Sequence, residues 1–259
     1  MSGGGDDPEI SALISYLKKH PLTFLPFSSN LKYTSEPILK QTFFDSKADH
    51  FYVLYKNRKI YMKKGMSKEQ CAEYFTELLM QEDKDSPHCY GLDTLKLTGD
   101  EIAVDAGAAE GIFAADVLDR VKKVYCFDMD PNWLDSLKWT FRDTDKVVIV
   151  PKGLGDKTAD NITTLDDYFN GERIDLIKAD IEGAECDTVR GGQNTLRGAK
   201  KAIFCTYHRQ GDAEELKGLF ENLGFVTGFS KGYAFFKAWE PETLQPPYLR
   251  RGVIYATKE

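Results

Sequence analysis

The spacing of apolar residues in the first hundred positions predicts separate, locally formed elements. Ile10, Leu13, Ile14 and Leu17 recur at helical intervals after Pro8, and proline is well tolerated at the start of a helix. The pattern therefore predicts a short helix near the beginning of the chain.

Two further elements are predicted before residue 100. The runs 50–55 and 59–62 are rich in aromatic and β-branched residues, which indicates a hairpin, although no glycine lies between them. Ser67 and Gln70 form a capping-box pattern, and the apolar stripe that follows predicts a helix over 68–81.

From residue 101 onward the chain alternates apolar strands with helical segments in βαβ fashion. The strand runs are apolar throughout, which indicates a parallel sheet buried on both faces. The predicted strands are 102–105, 123–128, 147–150, 174–180 and 202–207, with edge candidates at 225–229, 233–236 and 252–257. The predicted helices begin at 111 and 131 and cover 165–169, 184–196 and 213–223. We place the join near Gly99, so that 1–99 form a smaller α+β extension and 100–259 form the α/β domain.

Composition narrows the function classes. The 259 residues are 42% hydrophobic and 29% charged, values typical of a folded globular protein. A net charge of -7 gives no general attraction for nucleic acid or anionic lipid, and no apolar run reaches the ~18 residues needed to cross a bilayer. From these two observations we expect neither nucleic acid nor membrane as a partner. The five cysteines form no metal-binding or disulfide pattern, which favours a reducing cytoplasm.

A turn of small residues connects the first strand of the α/β part to its helix. The turn consists of Asp105, Ala106, Gly107, Ala108, Ala109, Glu110 and Gly111. Small residues allow a ligand to approach the backbone closely, which predicts a cofactor-binding loop, although a plain tight turn is the alternative. A dinucleotide fingerprint counted from Gly107 needs glycine where Ala109 and Ile112 stand, which argues against NAD. The charge of Asp105 suits a sulfonium-bearing ligand and repels a pyrophosphate.

The end of the second strand supplies a carboxylate for a ribose. Asp128 follows Gly111 by seventeen residues, where an acidic side chain can accept both ribose hydroxyls. The alternative role is the N-cap of the helix at Pro131, for which Asp130 is better placed. Met129 is predicted to lie at the same cofactor site.

Two more strands deliver candidate catalytic residues to the same rim. Asp180 and Glu182 follow one strand, where either can bind the cofactor, orient an acceptor hydroxyl or accept a proton. His208 follows the next strand and is the other candidate base, with a merely structural histidine as the alternative. A divalent cation held by these three side chains is left open.

Four segments together resemble FkbM-type methyltransferases: 105–111, 125–131, 164–169 and 177–185. The similarity extends from about residue 102 to residue 208. It implies a class I methyltransferase fold, with a mostly parallel, seven-stranded Rossmann-like sheet whose last strand is antiparallel and which has helices on both faces. It also places the methionine side of S-adenosylmethionine (SAM) against Asp105, Gly107 and Gly111, and the ribose against Asp128.

The resemblance further implies methyl transfer to a hydroxyl of a small molecule or glycan, with a saccharide as the leading acceptor. The N-terminal extension is a candidate cover for the acceptor through segment 86–90, for which an ordinary surface loop is the alternative. Candidates to stack on a sugar ring are Trp133, Trp139, Tyr207 and Tyr233. Two other functions stay open: a nucleotide-dependent oxidoreductase, and a binding module that kept the SAM fold without chemistry.

Overall fold

The computed structural model describes residues 8–27, 30–235 and 248–258. Before residue 100 its elements are α1 (Pro8–Leu17), α2 (Glu36–Lys40), β1 (Thr42–Asp45), β2 (His50–Tyr55), β3 (Arg58–Tyr61) and α3 (Lys68–Gln81). The later helices are α4 (Ile112–Val117), α5 (Pro131–Thr140), α6 (Leu165–Phe169), α7 (Glu185–Arg190), α8 (Gln193–Gly198) and α9 (Asp212–Asn222). The later strands are β4 (Ile102–Ala106), β5 (Lys123–Phe127), β6 (Val147–Val150), β7 (Gly153–Leu154), β8 (Ile162–Thr163), β9 (Leu176–Ala179), β10 (Lys201–Cys205), β11 (Val226–Phe229), β12 (Ala234–Phe235), β13 (Leu249–Arg250) and β14 (Val253–Thr257).

Seven strands form the main sheet in the order β11-β14-β10-β9-β4-β5-β6. The pairs from β10 to β6 are parallel, and β14 runs antiparallel to both of its neighbours, β10 and β11. The predicted mostly parallel sheet with an antiparallel last strand is confirmed. Because β4, β5 and β9 are parallel neighbours, their C-terminal ends meet at one edge of the sheet.

Both faces of the sheet are buried, as the apolar strand runs predict. Neighbouring residues of β4 belong to different core clusters: Ala103 packs in one and Val104 in the other, and both are fully buried. The first cluster also contains Val53, Ile60 and Phe75, so residues before position 100 cover that face of the sheet. The division into a 1–99 extension and a 100–259 domain stays a prediction.

The predicted N-terminal elements are observed, and the short helix α2 and the strand β1 are two additions. The helix over 68–81 is observed with its capping box, and the hairpin pairs β2 with β3. Lys56 and Asn57 take φ values of +46° and +65°, so two non-glycine residues supply the left-handed backbone of the hairpin turn. The third strand of this small sheet, β1, has no clear pattern in the sequence.

Two predicted elements differ from the structure. The helix expected over 184–196 is divided into α7 and α8 at Gly191 and Gly192. Gly191 lies against the backbone of Gly155, since a Cβ on Gly191 would be 2.2 Å from the Gly155 carbonyl oxygen. The strand expected over 233–236 is observed as β12, which pairs with β13 outside the main sheet, and residue 236 lies outside the described residues. Within the described ranges, no helix is long and apolar enough to cross a membrane.

Candidate functional site

The loop after β4 lies against the ends of β5 and β9. The amides of Gly107 and Ala108 donate to the carbonyl oxygen of Phe127 at 3.0 and 3.1 Å. Gly107 has a φ of +71°, and a Cβ at this position would lie 1.9 Å from the carbonyl oxygen of Asp180. Only glycine therefore fits, and the loop backbone passes directly beside the end of β9.

The second glycine of the loop serves packing. Gly111 has a φ of +85°, and a Cβ there would come within 3 Å of the Leu137 and Phe141 side chains. Between the glycines, Ala109 also adopts a left-handed conformation, with a φ of +46°. A non-glycine residue held in this region is strained, and such residues concentrate at ligand sites.

Asp128 holds the loop from the neighbouring strand. Its Oδ2 accepts a hydrogen bond from the amide of Ala109 at 2.8 Å, and its Oδ1 accepts one from the amide of Asp130 at 2.8 Å. Asp130 caps α5 as predicted, by accepting from the amide of Asn132 at 2.8 Å. The Asp128 carboxylate therefore retains lone pairs for a ligand while its position is fixed.

A cavity of about 540 Å³ adjoins this carboxylate, and we call it the Asp128 cavity. Its wall includes Gly107, Ala109, Asp128, Met129, Trp133 and Asp180. The volume falls within the range of small-molecule sites. Met129 is 55% exposed, and its sulfur packs against Gly153, where a Cβ would lie 2.7 Å from it.

Asp105 does not line this cavity, and its expected contact with the methionine side of the cofactor stays a prediction. Its side chain is completely buried, and its Oδ1 lies 3.0 Å from Nζ of Lys178. Lys178 also donates to the Gly107 carbonyl oxygen at 2.8 Å. Burial raises the pKa of Asp105, and the Lys178 charge opposes that rise. The pair fixes the base of the loop from inside the core.

Asp180 lies at the centre of a polar cluster. The hydroxyls of Tyr90 and Tyr207 donate to its two carboxylate oxygens at 3.0 and 3.2 Å. Nε2 of His88 and Nε2 of His208 lie 3.4 Å from Oδ2 and Oδ1, respectively. Two of these four groups come from residues before position 100.

The surroundings of Asp180 make it an acceptor of hydrogen bonds and a poor base. Burial alone would raise the pKa of its carboxyl, but the hydrogen bond and charge of His88, with the charges of Lys178 and His208, hold that pKa far below its usual range. A carboxylate of such low basicity stays ionised at neutral pH, and its charge attracts cationic groups.

His208 forms a dyad with Glu185 behind Asp180. Its Nδ1 lies 2.8 Å from Oε1 of the fully buried Glu185, and its Nε2 points toward Asp180 and toward Glu182, 3.7 Å away. Burial lowers the pKa of the imidazole, but Glu185 and Asp180 outweigh that effect and raise it. His208 is not among the lining residues of the Asp128 cavity.

Glu182 lies in a strained, exposed position at the rim. It has a φ of +54°, and its side chain is 93% exposed. It lines the Asp128 cavity together with Asp180. The structure thus brings Asp180, Glu182 and His208 together, as the sequence predicts, with the carboxylates nearest to open space.

A second cavity, of about 280 Å³, opens on the other side of Gly107 and Asp180, and we call it the acidic cavity. Gly107, Ala108, Ala109 and Glu110 form one wall. The opposite wall contains Tyr74, Glu77 and Glu82, which sequence reasoning missed, together with His88 and Tyr90. The last two belong to segment 86–90 of the expected acceptor cover, although nothing in the sequence connects that segment to Asp180.

The four aromatic residues expected to stack on a sugar separate into two groups. Trp133 lines both cavities, and Tyr207 lines the acidic cavity. Trp139 instead packs near the ring of Tyr61, with ring centroids 6.0 Å apart. Tyr233 lies under the guanidinium of Arg251.

Two groups of side chains have the composition of a metal site. Asp180, Glu185 and His208 form one group, and His88, Asp180 and Cys205 form the other, each with ligand atoms within 4.8 Å of one another. Nδ1 of His208 already contacts Glu185 at 2.8 Å, and Nε2 of His88 already contacts the hydroxyl of Tyr207 at 3.1 Å.

Comparison with known proteins agrees with this geometry. Residues 135–227 match the family model of the methyltransferase FkbM domain. The chain also superposes on the crystal structure of methyltransferase FkbM from Methylobacillus flagellatus KT with a TM-score of 0.53 and 16% identity, over 88% of this chain and 58% of that chain. At this identity the superposition shows the fold alone, and the chain spans less than two thirds of that relative.

Two further structures are similar at lower scores. Precorrin-6y C5,15-methyltransferase from Geobacter metallireducens GS-15 has a TM-score of 0.45 and 12% identity, over 64% of this chain and 86% of that chain. An rRNA methylase from Streptococcus thermophilus has a TM-score of 0.42 and 17% identity, over 65% and 92%. No curated protein shows a significant sequence match. The family match and the sheet topology confirm the expected resemblance and the class I methyltransferase fold.

Proposed function

We propose that this chain, in which residues 135–227 match the FkbM methyltransferase domain, is a SAM-dependent O-methyltransferase that acts on a small molecule, with a saccharide as the leading acceptor class. The observation that carries the proposal is the junction of Gly107 and Asp128. A glycine that admits no side chain and a fixed strand-end carboxylate border the same cavity. The cytoplasmic location remains a prediction.

The residues of the Asp128 cavity fit SAM. Asp128 would accept from the ribose hydroxyls, and the backbone of Gly107 and Ala109 would lie along the nucleoside. Asp180 would attract the cationic part of the ligand. When bound, SAM supplies a methyl group on a positively charged sulfur, which an oxygen nucleophile displaces in line.

The chain's own contribution is alignment, exclusion of water and removal of a proton. Trp133 and Tyr207 form apolar walls that exclude water from the cavities. The low basicity of Asp180 assigns it to binding rather than to proton removal. His208, with its tautomer set by Glu185, is then the better proton acceptor of the three predicted catalytic residues, while Glu182 orients ligands at the rim.

Calorimetry with S-adenosylhomocysteine and NAD tests the function. We expect S-adenosylhomocysteine to bind and NAD not to bind. Asp128→Ala should weaken S-adenosylhomocysteine binding about 30-fold, or ~2 kcal/mol, because hydrogen bonds to a charged group are lost. Asp119→Ala, at an exposed ion pair with Arg58, is the matched control and should leave the dissociation constant unchanged.

The same titrations separate the other functions. Binding of NAD in place of S-adenosylhomocysteine would replace the methyltransferase with a nucleotide-dependent oxidoreductase. Equal affinities in the wild type and Asp128→Ala would remove the ribose role. Binding without turnover of any hydroxyl acceptor is the result that a non-catalytic module predicts.

A divalent cation is the remaining variant of the mechanism. Asp180, Glu182 and His208 offer two carboxylates and an imidazole, a donor set that suits such a cation and would acidify a bound hydroxyl. Because His208 already pairs with Glu185 and Asp180 already accepts from two tyrosines, we expect methyl transfer to survive exhaustive chelation with EDTA. If EDTA abolishes turnover and added Mg²⁺ restores it, the cation takes part in the mechanism instead.

The dyad of His208 and Glu185 gives stability a defined pH dependence. The folded-state pKa of His208 is raised, so the stabilisation is fully present below its ordinary value and is lost as pH rises through the folded value. We expect His208→Gln to lower the free energy of unfolding by about 2 kcal/mol at pH 6, with a smaller difference at pH 9. Urea unfolding at both pH values measures this.

The control for this experiment is His20→Gln, since His20 packs on the ring of Tyr16. It should show no such pH trend. S-adenosylhomocysteine affinity should survive in His208→Gln, because His208 does not line the Asp128 cavity. A stability difference that is equal at pH 6 and pH 9 would contradict the charged dyad.

A further inference from the structure

We propose that the acidic cavity receives the methyl acceptor, and that this acceptor carries an amine beside its hydroxyl, as an amino alcohol or amino sugar does. The inference rests on the proposed function and narrows its substrate class. It is drawn from the charges, the aromatic rings and one buried imidazole nitrogen of the cavity wall.

Negative charge predominates in the wall. Two cationic groups, His88 and Lys178, face five carboxylates, which belong to Glu77, Glu82, Glu110, Asp180 and Glu182. Lys178 is already paired with Asp105, which lies outside the cavity. A phosphate or carboxylate ligand would add to this uncompensated charge, whereas an ammonium group would reduce it.

The environment of the glutamates supports the same conclusion. Burial is the largest cause that raises the pKa of Glu82 and of Glu110, and it also raises the pKa of Glu77. Glu110 is only 3% exposed. A cation beside these carboxylates would restore the interaction energy that they lose with water.

Two aromatic rings form part of the cavity wall near Glu110, and Nζ of Lys63 already lies over one of them, Trp133, at 4.7 Å. The hydroxyl of Tyr74 donates to Oε2 of Glu110 at 2.8 Å, and the Tyr74 ring lies 5.6 Å from the Trp133 ring. Both rings line the cavity. Ring faces next to a carboxylate form a favourable environment for an ammonium group.

His88 and Glu82 lie next to each other in the wall of the acidic cavity without a hydrogen bond between them. The His88 side chain is 2% exposed, and its Nδ1 has no hydrogen-bond partner within the described structure. Oε1 of Glu82 lies 3.8 Å away, which is too long for a hydrogen bond. The two groups are therefore left without a hydrogen bond to each other, while contact with Tyr207 at 3.1 Å orients the His88 ring through Nε2.

The position of this wall favours the acceptor over the methyl donor. Glu77, Glu82 and His88 belong to the N-terminal part of the chain and lie opposite the Gly107–Glu110 loop. The two cavities share Gly107 and Asp180. A donor whose ribose lies at Asp128 would therefore meet an acceptor in the acidic cavity at this shared boundary.

Three small probes test the charge preference: ethanolamine, ethylene glycol and glycolate, which are similar in size and differ in charge. Binding is followed by NMR on the Trp133 indole N–H and the amides of residues 108–110. We expect ethanolamine to bind at least about tenfold more tightly than ethylene glycol, and glycolate to give no saturable shift. The preference should persist with saturating S-adenosylhomocysteine.

Variants that each remove one carboxylate charge test which residues cause the preference for ethanolamine. Glu82→Gln and Glu110→Gln each keep an acceptor oxygen, and each should weaken ethanolamine binding about fivefold with ethylene glycol unchanged. Glu73→Gln is the control, since Glu73 lies on the same helix as Glu77 but is not a lining residue of the cavity.

Each contrary outcome has a distinct meaning. No preference for ethanolamine in the wild type, or equal losses in Glu73→Gln and Glu110→Gln, would overturn the amine site. Loss of the ethanolamine shifts once S-adenosylhomocysteine is bound would assign the cavity to the donor's own amino group and overturn the acceptor assignment. Failure of S-adenosylhomocysteine to bind would refute the proposed function, whereas the titrations of the free protein would still test the charge preference.

Discussion

Gly107→Ala is expected to abolish S-adenosylhomocysteine binding and to lower the free energy of unfolding by about 3–4 kcal/mol. The new Cβ would lie 1.9 Å from the carbonyl oxygen of Asp180, a backbone atom that cannot move without displacing the end of β9. The left-handed backbone at φ +71° adds a second penalty. Calorimetry and chemical unfolding measure the two effects separately.

The chain contains a matched control for the cost of placing alanine in a left-handed backbone conformation. Gly171 has a φ of +88°, and a Cβ there would meet nothing within 4 Å. Gly171→Ala should therefore cost only about 1 kcal/mol and leave ligand binding intact. Similar losses in the two variants would show that close approach of the loop to β9 is unimportant.

Lys178→Met is expected to destabilise the protein by about 3–5 kcal/mol, because it leaves the Asp105 carboxylate buried without a cation. The folded-state pKa of Asp105, which burial already raises, would rise further, so the variant should lose stability as pH increases. Chemical unfolding at pH 5 and pH 8 measures this trend. The double variant Asp105→Asn with Lys178→Met should recover most of the loss at pH 8.

Lys146→Met is the control for Lys178→Met, because it also removes a lysine that donates to backbone carbonyl oxygens. Its Nζ donates to the carbonyl oxygens of Leu118 and Val121 at 3.3 and 3.0 Å. We expect a loss of about 1–2 kcal/mol in this variant, with no dependence on Asp105. If the double variant at Asp105 and Lys178 is no more stable than Lys178→Met, the buried pair does not explain the destabilisation.

The sequence predicted most of the α/β part because its signals are local. Apolar runs define the parallel strands, and the glycines and Asp128 mark the loop and the adjoining strand end. The Asp105 and Lys178 pair left one signal in the sequence, because Lys178 is a lone charge in an apolar run. The structure shows that the two residues are partners in the register of β4 and β9. The meaning of that signal appears only when the strand order is known.

The acidic cavity was beyond sequence reasoning because it depends on contacts across the fold. His88 and Tyr90 meet Asp180 from about 90 positions away, and no local period records such a contact. The burial of Asp105 was beyond the sequence for the same reason: a carboxylate at a strand end is equally consistent with the core and with a ligand. In the structure its side chain is completely buried and lies beside Lys178.

The hydrogen bonds of Asp128 bear on the thermodynamics of ligand capture. Since its oxygens already hold the amides of Ala109 and Asp130, the loop takes its binding shape during folding. The entropy lost in ordering that backbone therefore does not weaken ligand binding. The heat capacity change of association would then report surface removed from water, with little contribution from loop rearrangement.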